Sequence, residues 1–211
     1  MKALVAYESL FGNSEKVAQA IATGLATALE VELVEVTAAP PVIDDQLDLL
    51  VAGGPTHAFS MTKQSTREEA FSKGATHGTA AVGLREWLGH LERGRHSARV
   101  ATFDTRVGKV RHLPGSAAKG AAKLVHKLGY RSAGTPESFY VEGVDGPLVD
   151  GELDRAMDGY VRIVLERGRD LSVGDLRAVT RLLEFGGAGA AQVLDRTAPA
   201  VPGAGDAAAA L

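Results

Sequence analysis

Five short apolar or alternating runs, each separated from the next by a helix-patterned stretch, constrain this chain more than any other feature. The runs are Ala3–Tyr7, Val31–Val36, Leu47–Ala52, Arg99–Phe103 and Glu137–Glu142. Each is too short for a helix, and turn residues bound several of them, so each reads as a strand. After the first run, Val17, Ile21 and Leu25 share a helical face with Ala20, Gly24 and Ala28. Leu84, Trp87, Leu88 and Leu91 give a second such face within Val82–Leu91. Ser116–Leu128 and Glu152–Glu166 give two more, the last with Leu153, Met157, Tyr160, Val161 and Val164 inward. A short helix is expected around Thr66–Lys73. Strands alternating with helices predict an α/β fold, a parallel sheet covered on both faces. Such sheets take ligands at the carboxyl ends of their strands, near the point where strand order reverses. Here those ends are Tyr7-Glu8-Ser9, Gly53-Gly54-Pro55 and Asp104-Thr105.

The pattern occupies residues 1–168. Val173, Leu176, Val179 and Leu183 predict one extra helix over 169–185. Residues 186–211 hold ten Ala, five Gly and two Pro among 26 residues, too little apolar bulk to offset the entropy of ordering, and are expected to form a flexible tail. The chain has no Cys, which excludes disulfides, thiolate metal sites and Cys nucleophiles. Its formal charge of −3 speaks against a general nucleic-acid binder. No apolar run is long enough to span a membrane, and the expected location is the cytoplasm. The six histidines lack the paired spacing of a zinc protease, so no metal site is expected.

Ser9-Leu10-Phe11-Gly12-Asn13-Ser14 joins the first strand to its helix. Unpaired N–H groups and the helix dipole make such a turn a seat for a phosphate, with Gly12 allowing close approach and Ser9 and Ser14 offering hydroxyls. Asn13 or Ser14 capping the helix without any ligand accounts for the same residues. The stretch Tyr7–Ala22 resembles the N-terminal signature of the flavodoxin family, whose phosphate loop follows a Ser/Thr-x-Thr-Gly-x-Thr pattern. Ser9, Gly12 and Ser14 match it; Phe11 stands where many members carry a hydroxyl. The resemblance covers residues 1–168. It implies a doubly wound, flavodoxin-like five-stranded parallel sheet of order 2-1-3-4-5, with flavin mononucleotide (FMN) as cofactor and electron transfer as function. The dinucleotide pattern Gly-x-Gly-x-x-Gly is absent from this turn.

The loop Gly53–Met61 resembles the Gly-x-Pro-Thr loop of flavodoxin-like quinone reductases. That resemblance places Pro55, Thr56, His57, Ala58 and Phe59 beside the flavin ring, with Phe59 a stacking partner. An ordinary loop histidine and a core phenylalanine are the competing readings. Asp104, Thr105, Arg106 and Gly108 would border the other face of the ring, where the family often has a Tyr. No Tyr or Trp lies between Trp87 and Tyr130. Arg106 is either a cation near the ring or a solvated surface side chain. Residues 17–62 carry six acids and no Lys or Arg, whereas residues 105–136 carry seven Lys or Arg and no acid. Carrier flavodoxins are usually acidic around the flavin, so this chain is suited to an anionic partner or a phosphorylated nucleotide, or the run is simply a solvated face. The expected partners are a redox protein or a small-molecule electron acceptor. An NAD(P)H:quinone-type reductase, and a binding module that has lost FMN, are the alternatives.

Overall fold

The computed structural model describes residues 1–167, so the helix and tail expected after residue 168 lie outside the described residues. Strands β1 (Lys2–Tyr7), β2 (Glu30–Glu35) and β3 (Leu49–His57) are parallel, with β1 between the other two. A two-residue strand, β4 (Ser60–Met61), folds back antiparallel on the end of β3. β5 (Arg99–Val107) lies parallel to β3 on its other side. The next position is filled in two pieces: β6 (Arg131–Ser132) pairs with the start of β5, and β7 (Glu137–Val141) with its far half. The five expected strands are all present, in the order 2-1-3-5-7, with β4 and β6 as additions that sequence patterning missed.

Two apolar layers sandwich the sheet. Helices α1 (Asn13–Leu25) and α5 (Glu152–Arg167) cover one face, where Val5, Val51, Phe103 and Phe139 meet Val17, Ile21 and Tyr160. Phe103 and Phe139 pack edge-on, centroids 6.3 Å apart. α1 approaches α5 so closely that a side chain at Gly24 would lie 2.6 Å from the Met157 carbonyl oxygen, which is why the helical face carries a glycine there. Helices α3 (Leu84–His90) and α4 (Ala117–Lys127) cover the other face, with Leu84, Trp87 and Leu88 packed on Leu4, Leu50 and Val100. α2 (Gln64–Ser72) belongs to neither layer: its Ala70 packs with Leu10 and the half-buried Phe11 of the loop after β1.

Two stretches expected as loops are strand. β3 continues through Gly53–His57 and β5 through Asp104–Val107, because the two strands pair through Gly54–Asp104 and Pro55–Thr105, β4 then pairs with Thr56–His57, and β7 pairs with Asp104–Val107. Pro55 stands past the last β1 partner, Tyr7 with Gly53, at an unpaired edge where a missing N–H is tolerated. The extension carries both segments beyond the sheet body, above the end of β1.

Candidate functional site

The carboxyl ends of β1, β3 and β5 enclose a cavity of about 270 Å³. Eleven of the residues singled out from sequence line it: Ser9, Leu10, Phe11, Asn13, Ser14, Pro55, Thr56, His57, Ala58, Thr105 and Arg106. Gly12, Phe59, Asp104 and Gly108 do not line it. Three segments distant in sequence are joined here by direct bonds. Ser14 Oγ and Thr105 Oγ1, both buried, are 2.6 Å apart, and Asn13 Nδ2 donates to the Asp145 carbonyl at 3.0 Å.

The starts of α1, α3 and α4 lie at this end of the sheet, and their first N–H groups are treated differently. At α3, Leu84 N–H donates to Glu8 Oε2 at 2.7 Å and Gly83 N–H to Glu86 Oε2. At α4, Ala117 N–H donates to Thr56 Oγ1, Ala118 N–H to Asp104 Oδ2 and Lys119 N–H to Ser116 Oγ. At α1 the N-cap is Gly12, in the left-handed region at φ +81°, and no side chain caps the helix. The N–H groups of Leu10, Phe11, Gly12, Asn13 and Ser14 find no acceptor among the described residues; Glu15 N–H makes a long bond of 3.4 Å to Ser9 Oγ. Neither Asn13 nor Ser14 acts as the cap, since Asn13 turns to Asp145 and Ser14 to Thr105. Five successive free donors at a positive helix end form an anion seat. Gly12 makes it possible, because a left-handed residue lets the chain curl its N–H groups to one side.

The second segment is a tight hairpin. Thr56 pairs with Met61 and His57 with Ser60, leaving Ala58 and Phe59 as the two turn residues, both left-handed (φ +45° and +61°). Such turns normally carry Asn-Gly, so this tip holds backbone strain beside the cavity. Phe59 is 46% exposed, so it is neither a core residue nor part of the cavity wall. His57 is half-buried, and burial lowers its pKa below the ordinary value. The Thr66 carbonyl and Glu69 oppose that shift, and Lys73 adds to it. Glu69 and Lys73 form an ion pair at 2.5 Å on the α2 side of the cavity. The Lys73 hydrogen bond holds the Glu69 carboxyl below the usual carboxylate range.

Asp104 and Arg106 do structural work. Asp104 is fully buried and caps α4. Arg106 is 5% exposed, which overturns the reading of a solvated surface side chain. Its guanidinium donates to the carbonyls of Val110, Leu113 and Gly115, which braces the loop after β5 from beneath; no carboxylate pairs with it among the described residues. Gly108 opens the short 3-10 turn Gly108–Val110 at the start of that loop.

Sequence reasoning did not single out Thr66, Glu69 and Ala70 of α2 and Lys73 at its C-cap, or Val107, Val141 and Val144, all of which line the cavity. Nor did it find the buried network beneath. Glu8 is 2% exposed; it accepts from Thr62 Oγ1 at 2.6 Å and from Leu84 N–H, while Arg67, wholly buried, bonds Thr62 Oγ1 and pairs with Glu86 at 3.0 Å. Burial raises the Glu8 pKa above its ordinary value, against the opposing hydrogen bonds and Arg67. An acid directly following a strand was the only signal available for it.

The donor set fits FMN. The free N–H groups of residues 10–14, with the Ser9 hydroxyl, match a phosphate dianion. Pro55, Ala58, Val107, Val141 and Val144 give the cavity apolar wall for a flat ring, although no Tyr or Trp lines it. No family model and no curated protein matches the sequence. Solved structures do match. A flavodoxin from the domain Archaea is 17% identical with TM-score 0.52, over 79% of this chain and 98% of its own. A Streptococcus pneumoniae flavodoxin is 13% identical with TM-score 0.54, over 79% and 99%. Flavodoxin 1 of Bacillus cereus is 15% identical with TM-score 0.52, over 78% and 97%. The chain therefore has the flavodoxin fold, and at these identities the likeness is one of fold. No described helix is long and apolar enough to cross a membrane.

Proposed function

We propose that this protein binds FMN and transfers electrons through it. The observation that carries the reading is the contrast among the three helix starts: buried carboxylates cap α3 and α4, while the five N–H groups leading into α1 have no partner among the described residues. Buried backbone donors are paired in native proteins with protein groups, ordered water or a ligand, and five together at a cavity suit an anionic ligand. Residues 9–14 hold the phosphate. Pro55–Ala58 and Thr105–Val107 border the ring, and Thr105 is anchored there by Ser14. The flavin, when bound, supplies the redox chemistry; the chain supplies the seat, the orientation and the field.

One observation favours a reductase over a pure carrier. Cavity residues His57, Glu69 and Lys73 bring an imidazole, a carboxylate and an amine to the α2 side, and no aromatic residue other than Phe11 and His57 occupies the wall. That leaves space and proton-exchanging groups for a small acceptor, with NAD(P)H as the donor in this reading. The test is an absorption spectrum of the purified protein after FMN is added and the excess removed. Retained flavin bands are expected. A colourless protein would overturn the reading and favour a binding module without flavin.

A further inference from the structure

The loop after β5 and the outer face of α4 form a basic surface that the proposed FMN site does not use. Lys109, Arg111 and His112 are exposed on the loop, and Lys119, Lys123 and Lys127 are exposed on α4. The three α4 lysines are four residues apart, about 6 Å per step along one side of the helix. His112 Nε2 accepts from Arg111 Nε, so the charge is carried by the other five; no carboxylate pairs with any of them among the described residues, and residues 105–136 contain no acid at all. Unpaired like charges repel one another, so they persist at a cost unless a partner neutralises them.

This surface is fixed to the cavity. Arg106 braces the loop from below through three carbonyls, and Ala117 N–H ties the start of α4 to Thr56 on the cavity wall. A macromolecule that covers the loop and the first turn of α4 therefore lies beside the cavity mouth, with the lysine row leading back from the mouth along the helix. We propose that this face docks an acidic redox protein, which exchanges electrons at the adjacent site. The acidic character follows from the charge alone; the redox character rests on the FMN reading. A nucleic acid fits less well. Exposed Phe59 lies against the loop at Gly115, but no series of exposed rings is interleaved with the cations among the described residues, Tyr130 being buried against His96, and the chain as a whole is acidic.

The test is calorimetric titration of the full chain, with and without FMN, against three probes: an acidic plant-type [2Fe–2S] ferredoxin, basic cytochrome c and a short single-stranded oligonucleotide. Ferredoxin is expected to bind, with affinity falling about tenfold or more between low and moderate salt. A variant combining Lys119→Glu, Lys123→Glu and Lys127→Glu should lose ferredoxin and gain cytochrome c. The corresponding triple Gln variant, which keeps the helix without reversing charge, should weaken ferredoxin binding to an intermediate degree. Tighter binding of cytochrome c or oligonucleotide by the unmodified chain would overturn the proposal, as would no ferredoxin binding or unchanged affinity in both variants. Ferredoxin bound by a chain that refuses FMN would sink the electron-transfer reading and leave the docking face standing. FMN bound without ferredoxin would do the reverse.

Discussion

Replacing Gly12 by Asp probes the anion seat with little damage to the fold. The backbone at Gly12 is left-handed, and a Cβ there would sit 3.4 Å from His77 Cε1, an ordinary contact. The structural cost is therefore mainly conformational, about 1 kcal/mol, and smaller for Asp than for most residues because Asp tolerates this region. For a chain of this size that lowers Tm by roughly 2–4 °C. The effect on the ligand is larger. A carboxylate about 5 Å from a phosphate charge, at an effective dielectric of ~20, opposes it by roughly 3 kcal/mol. That corresponds to a loss of about two hundredfold in affinity. Fluorescence titration with FMN and with riboflavin, which lacks the phosphate, separates seat from ring pocket. The unmodified chain should prefer FMN strongly. Gly12→Asp should lose that preference and keep its affinity for riboflavin. Unchanged FMN affinity, or equal losses for both ligands, would refute the assignment of the phosphate to this turn.

Three further outcomes follow from the same geometry. Replacing the left-handed pair Ala58 and Phe59 by Asn and Gly should stabilise the fold by about 1 kcal/mol, because these residues adopt such turns with little strain; an unchanged or lower Tm would argue against the hairpin. His57 is held neutral by burial, so the folded state binds fewer protons than the unfolded state near its ordinary value of 6.5. Stability should rise with pH through that region and fall as acid is added, and His57→Gln should flatten the profile measured by urea unfolding. Glu8 shifts the other way. Its folded pKa lies above 4.5, so the folded state binds more protons and stability is lost as pH rises from there. The stability gap between the unmodified chain and Glu8→Gln should therefore narrow or reverse between pH 4.5 and 8, and a gap that widens would contradict the assignment.

The parallel sheet was legible because apolar runs and helical spacing alternate clearly, whereas its strand order came only from the resemblance of Tyr7–Ala22 to the flavodoxin signature. Gly53–His57 and Asp104–Val107 were misread as loops because Gly, Pro and Asp are turn residues by composition. Only tertiary pairing makes them strand: β3 with β5 through Pro55 and Thr105, then Thr56–His57 with β4 and Asp104–Val107 with β7. The β4 hairpin carries no Asn-Gly signal, since Ala58 and Phe59 fill the turn instead. The turn proposed to seat the phosphate was visible as a motif, yet Asn13 and Ser14 read equally well as caps. That ambiguity disappears only once their bonds to Asp145 and Thr105 are seen. Arg67 and Arg106 look like surface residues in the sequence. Both are buried because the chain that follows each one curls back and brings its backbone carbonyls onto the guanidinium group. No local pattern encodes such convergence, and the same holds for α2, whose largely polar sequence hides its place on the cavity wall.

The most direct measurement is an amide nitrogen–proton spectrum of the labelled chain as FMN is added. The account predicts that the N–H signals of Leu10 to Ser14 move furthest, downfield, as they gain a charged acceptor. Those of Leu84, Ala117 and Ala118, already bonded within the protein, should move little. Large shifts centred elsewhere, or no shifts at all, would contradict it.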